Sequence, residues 1–292
     1  MITGIAGFTG RYLRRTLVEL GFDVHGISQE AEPGDARVHC VDLLDRQNLG
    51  SLIAELRPTH VVHLAAISFV AHGDAQGIYT TNIVGTRNLL QALADQCAGS
   101  LRCVLLASSA NIYGNTTRSP IGEDEPPRPA NDYAVSKLAM EHMASLWTDR
   151  IPITIVRPFN YTGVGQSPQF VVPKIVKAFR ERSPRLELGN IDVERDLSEV
   201  RDVVEAYSRL LGKAPGGTFN ICSGRSISLN ELMAMAGEIV GYAPSIEVNP
   251  AFVRTNEVKR LCGNNEKLLS VIGPWTSRPL RQTLEWMLAS AV

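Results

Sequence analysis

MITGIAGFTGRYL, residues 1–13, decides how the rest of the chain is interpreted. Its glycines Gly4, Gly7 and Gly10 recur at every third position, after a short apolar run and before a helical pattern. A glycine turn between a strand and a helix brings backbone N–H groups and a helix N-terminus together, where a pyrophosphate can bind. Gly4 would end the strand, Gly7 would let the backbone approach the phosphates, and Gly10 would let the helix pack closely. Because the usual dinucleotide fingerprint is G-x-G-x-x-G, the spacing here does not settle the ligand by itself.

The composition is that of an ordinary globular protein. The 292 residues are 44% apolar and 20% charged, with 29 basic side chains against 30 acidic ones. This balance argues against nucleic acid or a membrane surface as a partner. No uncharged apolar run reaches about 18 residues and no signal peptide is present, so we expect a cytoplasmic protein. The five cysteines follow neither disulfide nor metal spacing, so we expect reduced thiols and no metal site.

The order of elements predicts the fold class. Short β-branched runs at 1–3, 23–28, 37–43, 60–66, 101–108 and 153–159 alternate with helical patterns at 11–20, 46–56, 78–93 and 133–147. Such alternation is typical of β-α-β units in a parallel sheet, and the apolar runs VVHLAA and CVLLAS indicate central strands. We therefore predict an α/β fold, a Rossmann-type doubly wound parallel sheet with a smaller, discontinuous C-terminal lobe.

The predicted domain boundary follows residue 158, where loops rich in Gly, Pro and Asn become longer. Residues 1–158 would form the sheet domain, with 201–225 returning to it, and 159–292 would mainly form the second lobe. Helical patterns in this half lie at 202–211, 229–240 and 278–290. The first strand has about three residues where about five are usual. Either its neighbours hold a short strand, or the natural chain begins earlier.

Two positions bear on the cofactor. The second predicted strand ends at Ser28 and Gln29, where an NAD-specific site would place an acid on the ribose 2′-hydroxyl. Since neither an acid nor an arginine occurs there, we expect NADPH, with NADH possible. Asp42, predicted to close the third strand, can accept a hydrogen bond from an adenine amino group. A loop cap is the alternative reading of Asp42.

Three later residues carry chemistry. Tyr133 and Lys137 are four apart at the start of a predicted helix, so both project toward one site. An ammonium group nearby should lower the pKa of a tyrosine and make it a usable acid or base. Ser109 follows the fifth strand and can hydrogen-bond a substrate oxygen. Taken one at a time, each residue has a structural alternative: Ser109 as a turn residue, Tyr133 as a half-buried aromatic side chain, and Lys137 as a solvated charge on a helix.

Together the motifs resemble those of the extended short-chain dehydrogenase/reductase family of nucleotide-sugar enzymes. The motifs are GIAGFTG at 4–10, the pair Asp42–Leu43, HLAA at 63–66, SSANIYG at 108–114 and YAVSK at 133–137. The resemblance implies that Tyr133 is the general acid/base, that Lys137 also holds the nicotinamide ribose, and that Ser109 orients the reacting oxygen. It implies an NAD(P) site in the first domain, formed by Gly4, Gly7, Phe8, Thr9, Gly10, Ser28, Asp42, Leu43, Leu64, Ala65, Ala66, Tyr133, Lys137 and Pro158. It also implies a homodimer through helices near 77–97 and 132–148.

The second lobe resembles the GDP-mannose branch of that family, especially its GDP-4-keto-6-deoxymannose reductases. RPFNYTGVGQ at 157–166 matches the branch pattern R-P-F-N-H-T-G-P-G-Q except at Tyr161 and Val164. The resemblance implies a nucleotide-sugar site formed by Ser109, Asn111, Tyr133, Asn160, Lys174, Arg195 and Arg254. For any one of the cationic residues in this set, the alternative to a phosphate contact is a surface ion pair with a neighbour such as Glu194 or Glu257.

The resemblance favours reduction of the C4 ketone of a GDP-4-keto-6-deoxy-hexose, with a GDP-6-deoxyhexose such as GDP-rhamnose as the product. Similar dehydratases have an acid where this chain has Asn111, and an amide cannot protonate a leaving hydroxyl, so dehydration is disfavoured. An NAD-dependent 4-epimerase and a non-catalytic NADP sensor remain the alternatives.

Overall fold

The computed structural model describes residues 1–30, 32, 34–68, 74–253 and 257–290. Its strands are Ile2–Thr3 (β1), Gly26–Ser28 (β2), Val38–Cys40 (β3), His60–His63 (β4), Cys103–Ala107 (β5), Ile153–Pro158 (β6), Asn160–Thr162 (β7), Arg185–Leu188 (β8), Glu194–Glu199 (β9), Gly217–Ile221 (β10), Ser226–Ser228 (β11), Ser245–Val248 (β12) and Arg260–Leu261 (β13). Its α-helices are Phe8–Glu19 (α1), Arg46–Leu56 (α2), Ala75–Tyr79 (α3), Thr86–Gln96 (α4), Asp132–Ser145 (α5), Val171–Arg180 (α6), Val200–Lys213 (α7), Leu229–Val240 (α8), Glu266–Ile272 (α9) and Leu280–Ala289 (α10).

A parallel sheet forms the centre of the molecule. Within the described residues it has seven strands in the order β10-β6-β5-β4-β1-β2-β3, and each neighbouring pair is parallel. Buried side chains of α1, α7 and α9 pack on one face, and those of α2, α4 and α5 on the other. The strand order reverses between β1 and β4, so the carboxyl ends of these strands open the crevice where such sheets bind ligands. The predicted Rossmann-type fold is confirmed.

The first strand is short and is paired on both edges. Ile2 pairs with Gly26 of β2 and with Val62 of β4, while Thr3 pairs with Ile27 and His63 in the same way. Both residues of β1 are fully buried. Two residues therefore serve as a central strand because both neighbours supply backbone partners.

The helix predicted over 78–93 is interrupted, which corrects the prediction. After α3 the chain forms a π-helical turn over Thr80–Gly85 and becomes α-helical again in α4. Within this turn the Asn82 side chain bonds to the backbone of Ile67, and the Thr86 hydroxyl donates to the Asn82 carbonyl at 2.7 Å. Side-chain bonds of this kind compete with the regular helical pattern, and π-turns often occur at functional sites.

The second half forms its own small sheets and then rejoins the main one. Strand β9 pairs with β7, β11 and β13, and β8 pairs with β12. Helices α6, α8 and α10 bury apolar side chains against these strands. Helix α7 packs on α1, and β10 extends the main sheet beside β6. Strand β7 follows β6 with only Phe159 between them.

A buried ion pair joins helix α5 to strand β6. The Arg157 guanidinium donates from Nε and Nη2 to the two carboxylate oxygens of Glu141, at 3.0 and 2.7 Å. Its Nη1 donates to the Tyr113 hydroxyl at 2.9 Å. Both charged side chains are about nine-tenths buried, so each one depends on the other for compensation.

The Glu141→Gln variant should therefore be strongly destabilised, because it leaves the Arg157 charge buried without its counter-ion. We expect the free energy of unfolding to fall by about 3–5 kcal/mol, measured by urea denaturation. The Arg15→Gln variant, which breaks the exposed Arg15–Glu19 pair of α1, is the control and should change little. Equally small effects of both variants would contradict this account.

Candidate active site

The glycine loop is built for close backbone packing. Gly4 has a φ of +72°, and a Cβ atom there would lie 2.9 Å from the Ala65 nitrogen. A Cβ atom at Gly10 would lie 2.3 Å from the Gly4 carbonyl oxygen, so helix α1 can begin here only if this residue is glycine. Gly7 caps the helix without a side-chain hydrogen bond, which leaves the first N–H groups of α1 available to an anion. The loop therefore fits a pyrophosphate.

The other residues predicted for the inner part of the cofactor site lie at or just after the carboxyl ends of β4 and β6, or at the start of α1. Leu64 and Ala65 follow β4. The Leu64 N–H donates to the Thr3 carbonyl at 3.1 Å, and the Ala65 N–H donates to the Thr3 hydroxyl at 3.3 Å. Ala66 is the next residue along the chain, and Pro158 ends β6. Phe8 and Thr9 begin α1 and contact Tyr161 of the second half.

The predicted adenosine end is engaged in local turns. The Ser28 hydroxyl accepts from the Glu30 N–H at 3.3 Å. Strand β3 ends at Cys40, not at Asp42, and the Asp42 carboxylate accepts from the Leu44 N–H at 2.9 Å. The strand prediction was thus too long, because Asp42 takes the loop-cap role that its type favours. Leu43 is buried, and its carbonyl accepts from Asn88 at 3.0 Å.

Ser109 and Tyr133 meet beyond the end of β5. Ser109 caps the short 3-10 turn Ala110–Tyr113, and its Oγ accepts from the Asn111 N–H at 3.2 Å. The Ser109 hydroxyl hydrogen is then free to donate to Tyr133. Burial raises the pKa of Tyr133, and the hydrogen bond with Ser109 offsets part of that rise. At neutral pH Tyr133 therefore holds its proton.

Lys137 lies one turn further along α5. Its Nζ is 5.9 Å from the centre of the Tyr133 ring and donates to the Ala107 carbonyl at 2.7 Å. Burial lowers the pKa of Lys137 to about 8, although the Glu141 carboxylate raises it in part. The expected lowering of the Tyr133 pKa by Lys137 is not found: loss of solvent around the phenol raises this pKa, and Ser109, not Lys137, is the group that offsets part of the rise.

A buried histidine links these groups to the glycine loop. The His63 Nδ1 lies 2.7 Å from the Thr3 hydroxyl, and its Nε2 lies 2.8 Å from the Thr86 hydroxyl. Since the Thr86 hydroxyl donates to the Asn82 carbonyl, it accepts from His63, which assigns the proton to Nε2. Burial, and after it the charge of Lys137, lowers the pKa of His63 to about 3.

The same chain of bonds reaches the helix that carries Tyr133. Asn82 donates to the Ser136 hydroxyl at 2.9 Å, and Ser136 donates to the Tyr133 carbonyl at 2.7 Å. The sequence analysis assigned no site role to Thr3, His63, Asn82 or Thr86. Only the histidine within HLAA gave a signal, since a polar residue at the end of an apolar strand needs partners.

The predicted nucleotide-sugar contacts are less closely grouped. Asn160 is exposed on β7. Lys174 lies over the Phe252 ring, with its Nζ 4.3 Å from the ring centre. Arg195 is paired with Glu257, which matches the alternative considered for it. Arg254 lies outside the described residues.

Two further findings concern metals and membranes. Among the described residues, no group of three or more His, Cys, Asp and Glu side chains could hold a metal ion. No helix in the described ranges is long and apolar enough to cross a membrane.

Comparison with known proteins gives a consistent result. A family model described as GDP-mannose 4,6 dehydratase matches residues 1–285. The chain is 35% identical to GDP-6-deoxy-D-talose 4-dehydrogenase of Aggregatibacter actinomycetemcomitans, over 94% of this chain and 90% of that protein. It is 34% identical to GDP-6-deoxy-D-mannose reductase of Pseudomonas aeruginosa, over 99% of this chain and 95% of that protein.

Solved structures share the fold over nearly the whole chain. A crystal structure from Burkholderia cenocepacia J2315, provisionally described as an epimerase, has a TM-score of 0.91 and 49% identity and covers 98% of this chain and 95% of that one. RMD from Pseudomonas aeruginosa, complexed with NADPH, has a TM-score of 0.85 and 33% identity and covers 99% and 97%.

His63 should make the protein sensitive to acid. Its pKa is about 3 when folded against an ordinary 6.5, so between these values the unfolded chain binds a proton that the folded protein excludes. The free energy of unfolding is therefore not lowered by protonation of His63 above pH 6.5. As the pH falls from 6.5 toward 3, it decreases by about 1.4 kcal/mol per pH unit. The His63→Gln variant should be less stable at neutral pH and should show a flatter decline, measured by urea unfolding across this range. The exposed His142→Gln is the control, and an unchanged slope in His63→Gln would contradict the assignment.

Proposed function

The chain belongs to the GDP-mannose 4,6-dehydratase family, and from that premise we propose that it reduces the C4 ketone of GDP-4-keto-6-deoxymannose with NADPH. The product would be GDP-6-deoxy-D-mannose, also called GDP-rhamnose. The first two relatives named above are a dehydrogenase and a reductase of GDP-sugars. The observation that carries the proposal is the buried, protonated Tyr133 beside the buried Ser109.

This pair suits the reduction of a ketone. The carbonyl oxygen must gain a proton as C4 becomes tetrahedral, and the buried Tyr133 holds one. Ser109 donates a second hydrogen bond to the same oxygen and stabilises its developing charge. The cofactor, held by the glycine loop and by Lys137, supplies the hydride when it is bound.

Lys137 assists Tyr133 in its role as the proton donor. Once Tyr133 has given up its proton, the phenolate charge is compensated by the Lys137 ammonium within the same buried region. With a pKa of about 8, Lys137 can also release and regain a proton near neutral pH. It is therefore suited to restore the Tyr133 proton between turnovers.

Asn111 separates this activity from dehydration. It lies in the 3-10 turn directly after Ser109, where the similar dehydratases have an acid. The N–H groups of a carboxamide are too weakly acidic to protonate a leaving hydroxyl, so elimination of water from the sugar would be unsupported here. We accordingly propose a reductase although the family takes its description from dehydratases.

A 4-epimerase is the second candidate, since the relative from Burkholderia cenocepacia is provisionally described as one. An epimerase would use Ser109, Tyr133 and Lys137 but would retain NAD and return the hydride to the other face of C4. Purified protein that carries stoichiometric NAD and interconverts sugar nucleotides without consuming NADPH would favour it. A non-catalytic NADP sensor would need neither Tyr133 nor Ser109 for its function.

Several finer features belong to the same proposal. The division into a cofactor domain, 1–158 with 201–225, and a sugar-nucleotide lobe over the rest follows the two groups of sheets. Asn160, Lys174, Arg195 and Arg254 would contact the nucleotide diphosphate. Val84 and Leu146 are exposed apolar residues on the helical segments proposed to form a homodimer, which light scattering can test. The cytoplasmic location stays a prediction.

The central test is turnover with GDP-4-keto-6-deoxymannose, freshly made by a dehydratase. The wild type should oxidise NADPH and form GDP-6-deoxy-D-mannose, identified by chromatography and NMR. Tyr133→Phe should lower kcat by about 10²–10⁴-fold and Ser109→Ala by about 10²-fold, because each removes one contact to the reacting oxygen.

Binding of NADPH, measured by its fluorescence, is the control and should persist in both variants. Absence of NADPH oxidation with any GDP- or dTDP-4-keto-6-deoxy sugar would contradict the reductase proposal. Full activity of Tyr133→Phe would contradict the role of this residue. Formation of GDP-6-deoxy-D-talose in place of the manno product would keep the reaction type and change its stereochemistry.

A further inference from the structure

Strand β7 faces two regions at once. Consecutive side chains of a strand point to opposite sides, and β7 consists of Asn160, Tyr161 and Thr162. Asn160 is exposed, on the side where the sugar nucleotide is proposed to bind. Tyr161 points the other way, into the packing around α1. One short strand therefore adjoins the proposed sugar-nucleotide site and the first turn of the glycine-loop helix.

Tyr161 contacts the residues that follow Gly7 directly. Its hydroxyl forms a hydrogen bond of 2.8 Å with the Thr9 hydroxyl, and its ring is stacked on Phe8, with 6.2 Å between the ring centres and 13° between the planes. A second bond from the same segment joins the Tyr12 hydroxyl to the Val164 carbonyl at 2.7 Å. The start of α1, where a pyrophosphate would bind, is thus held by the second half of the chain.

The backbone of β7 pairs with β9, the strand that carries Arg195, one of the proposed phosphate contacts. Tyr161 pairs with Ser198 of β9, and Arg195 lies three residues earlier on the same strand. Arg195 in turn pairs with Leu261 of β13. A ligand that orders Arg195 and Asn160 would consequently order β7, and with it the position of Tyr161.

We propose that Tyr161 couples the binding of the nicotinamide cofactor to the binding of the nucleoside diphosphate part of the substrate. The Thr9–Tyr161 bond makes the glycine loop and β7 share one restraint, so the first ligand bound orders part of what the second requires. Tyr161 is a positioning residue, since it acts through the loop and through β7. The proposal rests on the proposed function, which supplies the identity of the two ligands.

The test measures binding and needs no turnover. The Kd of NADPH is determined by fluorescence titration with and without saturating GDP, for the wild type and for Tyr161→Phe. In the wild type GDP should lower the Kd of NADPH at least about fivefold, and NADPH should lower the Kd of GDP by the same factor. In Tyr161→Phe, which lacks only the hydroxyl, this factor should fall toward one.

Two further variants make the result specific. Thr9→Val removes the partner hydroxyl, so it should lose the coupling equally, and the double variant should lose no more. Tyr242→Phe is the matched control, since its hydroxyl donates to the Ser183 carbonyl at 2.7 Å, far along the chain from the glycine loop. It should keep the wild-type factor.

The outcomes separate the two proposals. If NADPH and GDP both bind and the factor is the same in Tyr161→Phe and the wild type, the coupling role of Tyr161 is overturned while the proposed function stands. A purely structural role would weaken both ligands without changing the factor. If the wild type binds no GDP, the proposed function itself fails, and the coupling proposal with it.

Discussion

At the point where the strand order reverses, the backbone after β1 runs against the backbone after β4, and only glycine fits between them. A Cβ atom at Gly4 would clash with Ala65, and one at Gly10 would clash with the carbonyl of Gly4 itself. This close approach places the first turn of α1 over the crevice and aims its N–H groups outward. The proposed pyrophosphate site and the course of α1 both depend on this close approach.

Loss of solvent is the second influence on the chemistry. Tyr133, Lys137 and His63 are all buried. Burial raises the pKa of Tyr133 and lowers the pKa of Lys137 and of His63, so that in each case the uncharged form is favoured. His63 is satisfied by two threonine hydroxyls and needs no charge. Tyr133 keeps a proton that it can give to an oxygen, while Lys137 stays close to the point where it can lose one. The site thus stores a proton beside the place where a carbonyl would be reduced.

The same groups suit more than one reaction at C4 of a sugar. A reductase and an epimerase both need a proton carrier, a hydrogen-bond donor to the oxygen and a nicotinamide beside the carbon. What distinguishes them is how tightly the cofactor is held and whether the sugar can turn. The contacts of Phe8 and Thr9 with Tyr161, and of Tyr12 with Val164, bear on the first of these, because they join the glycine loop and its helix to the second half.

The parallel sheet and the glycine loop follow from the sequence alone, and so does the prediction that Ser109, Tyr133 and Lys137 share one site. These features depend on local spacing, which survives in the linear chain as alternation, glycine periodicity and a four-residue helical repeat. The folded chain was needed to show that Asp42 caps a turn, that Arg195 is paired with Glu257, and that the predicted helix over 78–93 contains a π-turn. The same holds for the chain of bonds through His63 and for the Thr9–Tyr161 contact, whose partners are 60 and 152 residues apart. The physical reason is that hydrogen-bond partners and desolvation depend on which distant residues fold into the same space.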